Sequence, residues 1–361
     1  VDLQGLNLLV GVSGAGKTRI LDGLAAVCAT GCGQDSGLYD CHWRLDVETP
    51  HGRFVWEAST SGTDGEGSFE EREYGLVIPV GPPVFAKEVI ANERGDVIVQ
   101  RRSDGIRLQG AEKPIRLKGQ ESIISLLQEE ESIAPLYKAL GKVHRSRTHV
   151  WSIAMDHEDL RRATHGLSSI EAIRDASLPM IVKIHALHER FRGAFDEVTA
   201  AYTEIFPSVE RVLLQSRPED QAPFRDRWTI VVLERGVAFP IEWNALSAGM
   251  RRTLEHLFEL ALAPAGTVIL IDEYENSMGV NCLEAVTDHL LQPTRGIQLV
   301  ITSHHPYVVN NVPVEHWRVV TRKGSTVKVV PAAAIPALDT RSRQDAFIRL
   351  INATEYLDGI Q

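Results

Sequence analysis

Gly11-Val12-Ser13-Gly14-Ala15-Gly16-Lys17-Thr18 matches the pattern G-x-x-x-x-G-K-[ST] at every fixed position. The apolar run Leu6 to Val10 before it is typical of a buried parallel strand. Arg19 to Cys28 after it has the periodicity of an amphipathic helix. A strand, a glycine-rich loop and a helix in this order predict a loop that binds phosphate. A chance glycine-rich turn is the alternative, and both flanks argue against it.

The residue types of this loop indicate its ligand. Gly11, Gly14 and Gly16 allow backbone torsions that are closed to other residues, so successive N–H groups can point at one anion. The N-terminus of the following helix adds roughly half a positive charge. The lysine of such a loop, here Lys17, reaches the β- and γ-phosphates, and the hydroxyl of Thr18 ligates Mg²⁺. The sequence therefore predicts a site for ATP and Mg²⁺.

Composition narrows the class of protein. The chain has 361 residues, 24 % charged and 43 % hydrophobic, which is ordinary for a globular protein of two or three domains. A net charge of −10 argues against a surface that coats nucleic acid. No apolar run approaches the ~20 residues of a membrane span, so we expect no membrane association. Four cysteines are too few for a disulfide framework, which favours the cytoplasm. Val1 stands where an initiator Met would, so we expect further residues before it.

A zinc site is an alternative use of some of these cysteines. The candidate ligands are Cys28, Cys32, Cys41 and His42. Their spacing fits no standard zinc ligand pair, and Cys28 lies close to the apolar helix face. Buried or incidental thiols are therefore favoured.

Alternating polar and apolar residues predict two hairpins after the first helix, 43–58 and 97–108, with a flexible turn at 61–68. The pattern then becomes helical from Ser122, and Leu178 to Phe206 is typical of one long amphipathic helix that packs on the core. Strands are expected at 228–233, 267–271 and 298–302, with a helix at 278–291 between the last two, a hairpin at 317–330 and a terminal helix at 341–356. We expect three parts: 1–118, 119–227 and 228–361.

Two acids follow an almost wholly apolar strand, at Asp272 and Glu273. Beside a phosphate-binding loop, Asp272 is positioned to hold Mg²⁺ and Glu273 to orient or deprotonate an attacking water. His304 follows the next apolar strand, where its ring can contact the γ-phosphate or that water, and His305 competes for this role by adjacency. Ser247 caps an apolar helix, and Gly249 permits close approach of a phosphate.

These segments resemble the motifs of ABC-class P-loop ATPases. Leu246 to Met250 (LSAGM) is similar to their LSGGQ signature, with Ala248 and Met250 as departures. VILIDE, ending at Glu273, resembles their Walker B strand, and ITSHHP at 301–306 resembles the switch-histidine segment of the RecF/SMC/OLD-like branch. The order of the motifs is the family order. The resemblance implies an α/β fold with an ABC-ATPase head: a mixed central sheet, an attached antiparallel β-subdomain and a helical subdomain.

The resemblance also implies roles for individual residues. Gly11 to Thr18, including Ser13 and Ala15, would bind ATP together with Arg19, with Lys17 catalytic as well. Asp272 and Thr18 would hold Mg²⁺, Glu273 would be the general base and His304 the switch. Ser247 and Gly249 would bind the γ-phosphate of ATP held by a second copy of the chain, with Asn276 and Ser277 at the seam. Gln100 and Gln120 are both open candidates for the Q-loop glutamine.

The resemblance implies an ATP-hydrolysing homodimer with ATP at its interface. Because no long coiled coil, membrane segment or fused nuclease is apparent, we expect a regulatory ATPase that controls a separate effector, a nuclease or toxin, in anti-phage defence or DNA maintenance. One alternative is a RecF-like clamp that binds DNA directly through Lys142, Arg145, Arg147, Arg161 and Arg162, although a solvated basic face is the favoured explanation of these residues. The other is a nucleotide-sensing scaffold that does not hydrolyse ATP.

Overall fold

A computed structural model describes residues 2–34, 37–62, 69–72, 76–79, 83–102, 104–110, 115–116, 118–146, 151–219, 222–291, 296–338 and 348–349. The chain divides into two compact units. The first unit comprises Val1–Lys17, Ser146–Ala265 and Ile271–Gln361. The second unit comprises Thr18–Arg145 and Gly266–Leu270. The three-part division expected from the sequence stays a prediction.

The strands, in chain order, are β1 (Leu6–Val10), β2 (His42–Thr49), β3 (Gly52–Ser61), β4 (Phe69–Arg72), β5 (Leu76–Pro79), β6 (Val84–Asn92), β7 (Val97–Arg102), β8 (Gly105–Leu108), β9 (Val143–Arg145), β10 (Ser152–Met155), β11 (Val209–Glu219), β12 (Ala222–Glu234), β13 (Ile241–Glu242), β14 (Val268–Ile271), β15 (Gln298–Thr302), β16 (Trp317–Lys323) and β17 (Thr326–Pro331).

The α-helices are α1 (Lys17–Gly31), α2 (Ile123–Leu126), α3 (Ala134–Leu140), α4 (His157–Thr164), α5 (Ile170–Asp175), α6 (Met180–Arg190), α7 (Arg192–Ile205), α8 (Ala248–Leu262), α9 (Val280–Leu291) and α10 (Pro306–Asn311). Single turns of 3₁₀-helix lie at Trp243–Ala245, Val314–His316, Ala332–Ala334 and Pro336–Leu338.

In the first unit, a mixed sheet carries the glycine-rich loop. Its strands run in the order β17-β16-β1-β15. β1 is parallel to both neighbours, with Leu6 opposite Leu299 and Leu8 opposite Trp317, and β16 turns back into the antiparallel β17. Leu8 and Leu9 are fully buried, as an apolar strand covered on both faces should be. The mixed sheet expected from the sequence is confirmed.

The segment 178–206 is two helices rather than one. α6 ends at Arg190 and α7 begins at Arg192, because Phe191 has φ −132° and ψ 55°, outside the helical region. The two helices pack against each other, and α7 also lies on α8, where the rings of Phe195 and Phe258 are 5.8 Å apart. The expectation of a single long helix is wrong, whereas the expectation that its apolar face packs in the core is confirmed.

A second sheet of the first unit is antiparallel, in the order β10-β12-β11, with β13 also paired to β12. β11 and β12 form a long hairpin with Leu213 opposite Val231. Residues 119–227 therefore hold strands as well as α2 to α7.

The second unit is built on a five-stranded antiparallel sheet in the order β2-β3-β6-β7-β8. Trp56 and Ile90 are fully buried in its core, which α1 joins through Cys28. β14 pairs in parallel with β9, Val268 opposite Val143. Both predicted hairpins, 43–58 and 97–108, are confirmed. The strand β6, which lies between them in the sheet, was not predicted from the sequence.

The later elements expected from the sequence are confirmed as well: β12, β14, α9, β15 and the hairpin of β16 and β17. The turn at 61–68 lies outside the described residues beyond position 62, and the terminal helix at 341–356 lies outside them except at 348–349. None of the described helices combines the length and hydropathy needed to cross a membrane.

Candidate functional site

The glycine-rich loop leaves the end of β1 and enters α1 at Lys17. Gly14 and Gly16 have φ of 83° and 99°, values that favour glycine strongly. Gly11 is constrained differently, because a Cβ there would lie 2.4 Å from the carbonyl oxygen of Val320 on β16. Ala15 is fully buried, and its N–H donates to the carbonyl of Val12 over 3.2 Å. The loop therefore packs closely against β16 at Gly11, while Ser13, Thr18 and Arg19 are exposed.

The side chain of Lys17 folds back onto this loop. Its Nζ donates to the carbonyl oxygens of Gly11 and Val12, over 2.7 and 3.1 Å. Burial lowers the pKa of the Lys17 ammonium, while the negative charges of Asp272, Glu275 and Glu273, in that order, act to raise it. The structure therefore brings the lysine and the acidic end of β14 within electrostatic reach of each other.

Asp272 and Glu273 are fixed by the end of β15. The Thr302 hydroxyl donates to Asp272 Oδ1 over 2.7 Å and accepts from the Glu273 N–H over 2.7 Å. The Tyr274 N–H donates to the Thr302 carbonyl over 3.0 Å. These bonds hold Glu273 at φ 44°, a left-handed conformation that is uncommon outside glycine and that recurs at functional sites. Sequence reasoning missed Thr302, although the prediction that β15 ends here was a usable signal.

The Glu273 carboxylate is bound by Asn276, whose Nδ2 donates to Glu273 Oε2 over 3.3 Å. The backbone closes the same turn, since the Asn276 N–H donates to the Glu273 carbonyl over 2.7 Å. The Asn276 amide therefore holds one side of the Glu273 carboxylate, which the sequence predicts to be the general base.

His304 does not stand alone at the end of β15. Its Nδ1 and its backbone N–H both lie 3.0 Å from Glu275 Oε1. The His304 side chain is 70 % exposed, whereas that of Glu275 is 9 % exposed. His305 has a different role, because its Nδ1 accepts the N–H of Tyr307 and so caps α10. Sequence reasoning weighed the two histidines but assigned no role to Glu275, which it placed only in the segment after the Walker B strand.

The signature segment begins α8. Ser247 is the N-cap, and its hydroxyl accepts the N–H of Met250 over 3.2 Å. A Cβ at Gly249 would lie 2.9 Å from the carbonyl oxygen of Ser277 and 3.5 Å from the N–H nitrogen of Gly279. The start of α8 thus lies against the turn that follows Glu273. Close backbone packing already requires a glycine at 249, and contact with a phosphate stays a prediction.

The residues of the loop fit a nucleoside triphosphate with Mg²⁺. The loop backbone closes on β16 at Gly11, where a side chain would not fit, and the Lys17 ammonium lies against two carbonyl oxygens that a phosphate can replace. The hydroxyl of Thr18 and the carboxylate of Asp272 are oxygen ligands of the kind that Mg²⁺ prefers.

Other candidates from the sequence have ordinary surroundings. Cys28, Cys32, Cys41 and Cys282 are free thiols, and no cluster of three or more metal-ligating side chains occurs among the described residues. Arg162 is paired with Glu158 and Asp159, 3.2 and 3.0 Å away. Arg147 lies outside the described residues. Gln100 accepts a hydrogen bond from Arg102 on the same strand, and neither Gln100 nor Gln120 is tested as the Q-loop residue.

Comparison with known proteins gives no match among curated proteins. Among solved structures, the chain is similar to an SMC head bound to the C-terminal winged-helix domain of ScpA (14 % identity, 91 % of each chain covered, TM-score 0.46). It is also similar to a Pyrococcus furiosus SMC head with an extended coiled coil, bound to the C-terminal domain of ScpA (14 %, 91 % of each chain, TM-score 0.45). A third is the SMC head domain from Thermotoga maritima (12 %, 92 % of each chain, TM-score 0.39).

A protein-family profile matches residues 6–310, a range that contains the glycine-rich loop, the signature segment, Asp272 and His304. This match confirms the resemblance to P-loop ATPases that the motifs indicate. The chain therefore belongs to the family described as "AAA domain, putative AbiEii toxin, Type IV TA system".

Proposed function

We propose that this protein binds ATP with Mg²⁺ and hydrolyses it to ADP and phosphate. The observation that carries the proposal is that Lys17, held against the carbonyls of the glycine-rich loop, lies within electrostatic reach of three acidic side chains that follow β14, two of which are held by hydrogen bonds to Thr302 or Asn276. A lysine in a glycine-rich loop beside such carboxylates is the arrangement of phosphoryl-transfer sites.

Each residue has a role in this proposal. Lys17 and the N–H groups of the loop hold the phosphates, for which the ammonium exchanges its bonds to the carbonyls of Gly11 and Val12. Thr18, next to Lys17, and Asp272 hold Mg²⁺, which when bound neutralises charge on the phosphate oxygens. Glu273 accepts a proton from the attacking water, and Asn276 keeps its carboxylate in place. His304 contacts the phosphate or the water.

We also propose that ATP joins two copies of the chain in a C2 dimer. Ser247 at the start of α8 would face the phosphates bound by the other copy. In support, α8 is a 15-residue helix whose N-terminal N–H groups suit an anion. Hydrolysis would then open the dimer and so signal to a separate effector, a nuclease or toxin, in a cytoplasmic defence module. The toxin–antitoxin system named in the family description supports this role.

A direct DNA clamp is the less favoured function. Two of its five candidate basic residues, Arg145 and Arg162, are engaged in ion pairs with Asp22 and with Glu158 and Asp159. Such pairs lower the positive charge available to phosphates.

Steady-state phosphate release with and without duplex DNA distinguishes the alternatives. The regulatory ATPase predicts Mg²⁺-dependent turnover that DNA leaves unchanged. A DNA clamp predicts stimulation that falls steeply with salt. ATP binding without turnover would overturn hydrolysis and leave a nucleotide-sensing scaffold.

A further inference from the structure

Glu275 lies between two parts of the proposed site. It follows the β14 acids in sequence, and its carboxylate reaches the end of β15, where His304 begins the next segment. Its charge is also among those that raise the pKa of Lys17 against the effect of burial. The sequence motifs imply no role for Glu275.

A tight turn holds the Glu275 backbone in place. The Asn276 N–H donates to the Glu273 carbonyl, and the Met278 N–H donates to the Glu275 carbonyl over 3.0 Å. Ser277, in the same turn, has φ 68°. The Glu275 side chain is 9 % exposed, so it has less freedom than the largely exposed His304 side chain that it contacts.

The hydrogen bonds of Glu275 define the state of the His304 ring. Oε1 accepts the backbone N–H of His304 and lies 3.0 Å from its Nδ1. A carboxylate only accepts, so Nδ1 carries the proton in this pair. In the neutral ring, Nε2 is then an acceptor, on a side chain that is 70 % exposed.

We propose that Glu275 is a positioning residue that fixes the orientation and the Nδ1–H tautomer of His304, so that Nε2 is presented to the phosphate or water of the proposed reaction. This inference rests on the proposed ATPase function. Glu275 acts through His304 and contacts no reacting atom. Its second oxygen, Oε2, is buried with no hydrogen-bond partner among the described residues, which carries a cost in solvation.

The first test is kinetic. Glu275→Ala is expected to lower kcat by about tenfold to a hundredfold, by analogy with the loss of a group that orients a metal-binding histidine. This variant should bind a non-hydrolysable ATP analogue at least as tightly as the wild type does. In a His304→Ala background, Glu275→Ala should cause no further loss, because both changes remove one function. Glu275→Gln, whose amide oxygen can still accept from Nδ1, should recover part of the rate. Glu315→Gln removes an exposed carboxylate as the charge control.

Losses that multiply in the double variant, or an analogue Kd weakened as much as kcat, would overturn the inference. If the wild-type protein shows no turnover at all, the proposed function fails and a second readout decides about Glu275. In ¹⁵N-histidine NMR spectra of the nucleotide-free protein, the His304 signals, assigned by their loss in His304→Ala, should report the Nδ1–H tautomer. They should shift towards Nε2–H in Glu275→Ala. An unchanged tautomer in that variant would contradict the inference independently of activity.

Discussion

The Thr302 hydroxyl lies 2.7 Å from Asp272 Oδ1, and the same oxygen accepts the N–H of Glu273. One side chain on β15 therefore fixes the nominated metal ligand and the nominated base on β14 together. Thr302 is 2 % exposed, so water does not readily replace these bonds.

Thr302→Val keeps the shape of this side chain and removes both bonds. We expect the free energy of unfolding to fall by about 1 to 3 kcal/mol, because polar groups at a buried position lose their partner. We also expect kcat for ATP to fall while the Kd of an ATP analogue changes little. Thermal unfolding and phosphate release measure the two effects. Thr203→Val, at an exposed helical hydroxyl, should change neither; an unaltered kcat in Thr302→Val would argue against a catalytic role for this network.

Lys17→Ala should weaken ATP binding strongly. The loop then loses the ammonium that lies against the carbonyls of Gly11 and Val12 and that we propose binds the phosphates. Isothermal titration with an ATP analogue and Mg²⁺ measures the change, which we expect to exceed a hundredfold in Kd, about 2.7 kcal/mol. Lys138→Ala, at an exposed lysine of α3, should bind as the wild type does. Wild-type affinity in Lys17→Ala would contradict the phosphate site.

Glu273→Gln should bind ATP but lower kcat by roughly 10² to 10⁴, the range for loss of a general base. Light scattering should then find a dimer that forms with ATP and persists. Glu315→Gln, which removes a carboxylate far along the chain from the β14 acids, should form a dimer that turns over normally. A Glu273→Gln protein that stays monomeric with saturating ATP would refute the proposed dimer.

Gly249→Ala should destabilise the protein even without nucleotide, because the new Cβ would lie 2.9 Å from a backbone oxygen. Overpacking of this kind costs about 1 to 3 kcal/mol. Gly193→Ala is the matched control: it is also helical, nothing lies within 4 Å of its added Cβ, and it should gain about 0.4 to 1 kcal/mol. If Gly249→Ala unfolds at the wild-type temperature and loses only ATP-dependent association, the phosphate role is favoured over packing.

His185 should make the protein sensitive to acid. Its ring lies 4.6 Å from that of Trp228, its Nδ1 is buried without a partner among the described residues, and burial lowers its pKa from 6.5 to about 4. Between these values the unfolded chain takes up a proton that the folded chain does not, so the free energy of unfolding decreases as the pH falls from 6.5 towards 4.

His185→Phe should flatten this dependence in denaturant titrations at several pH values. Because the ring is only half-buried, the effect stays below the ~1.4 kcal/mol per pH unit of a single proton. His51→Phe, at an exposed histidine, is the comparison. An equal pH slope in wild type and His185→Phe would remove His185 as the cause.

The candidate site residues that the sequence predicts are those whose signals are local. The loop from Gly11 to Thr18 and the acids at 272 and 273 each depend on a few neighbouring residues and one apolar strand, so pattern and position suffice. The bond between Glu275 and His304 joins residues 29 apart in sequence and depends on how two strands end beside each other. Neither residue carries a signal of that pairing.

Both the end of α6 and the strand β6 were missed. Position 191 is neither proline nor glycine, but Gly193, two residues later, is a local signal of a break that the helical periodicity outweighed. The strand β6 was missed because a β-bulge interrupts its pairing with β3. The register shifts between Ser59 and Thr60, which leaves Ala86 as an extra residue on β6. Ala86 and Lys87 are both exposed, so the alternation that marks a strand is interrupted.

The position of β1 between β15 and β16 has a consequence for biosynthesis. Leu6 and Leu8 are synthesised well before their partners Leu299 and Trp317. The carbonyl of Val320 that closes under Gly11 comes later still. A nascent chain therefore cannot complete the sheet around β1, on which the proposed nucleotide site depends, until translation has passed β16.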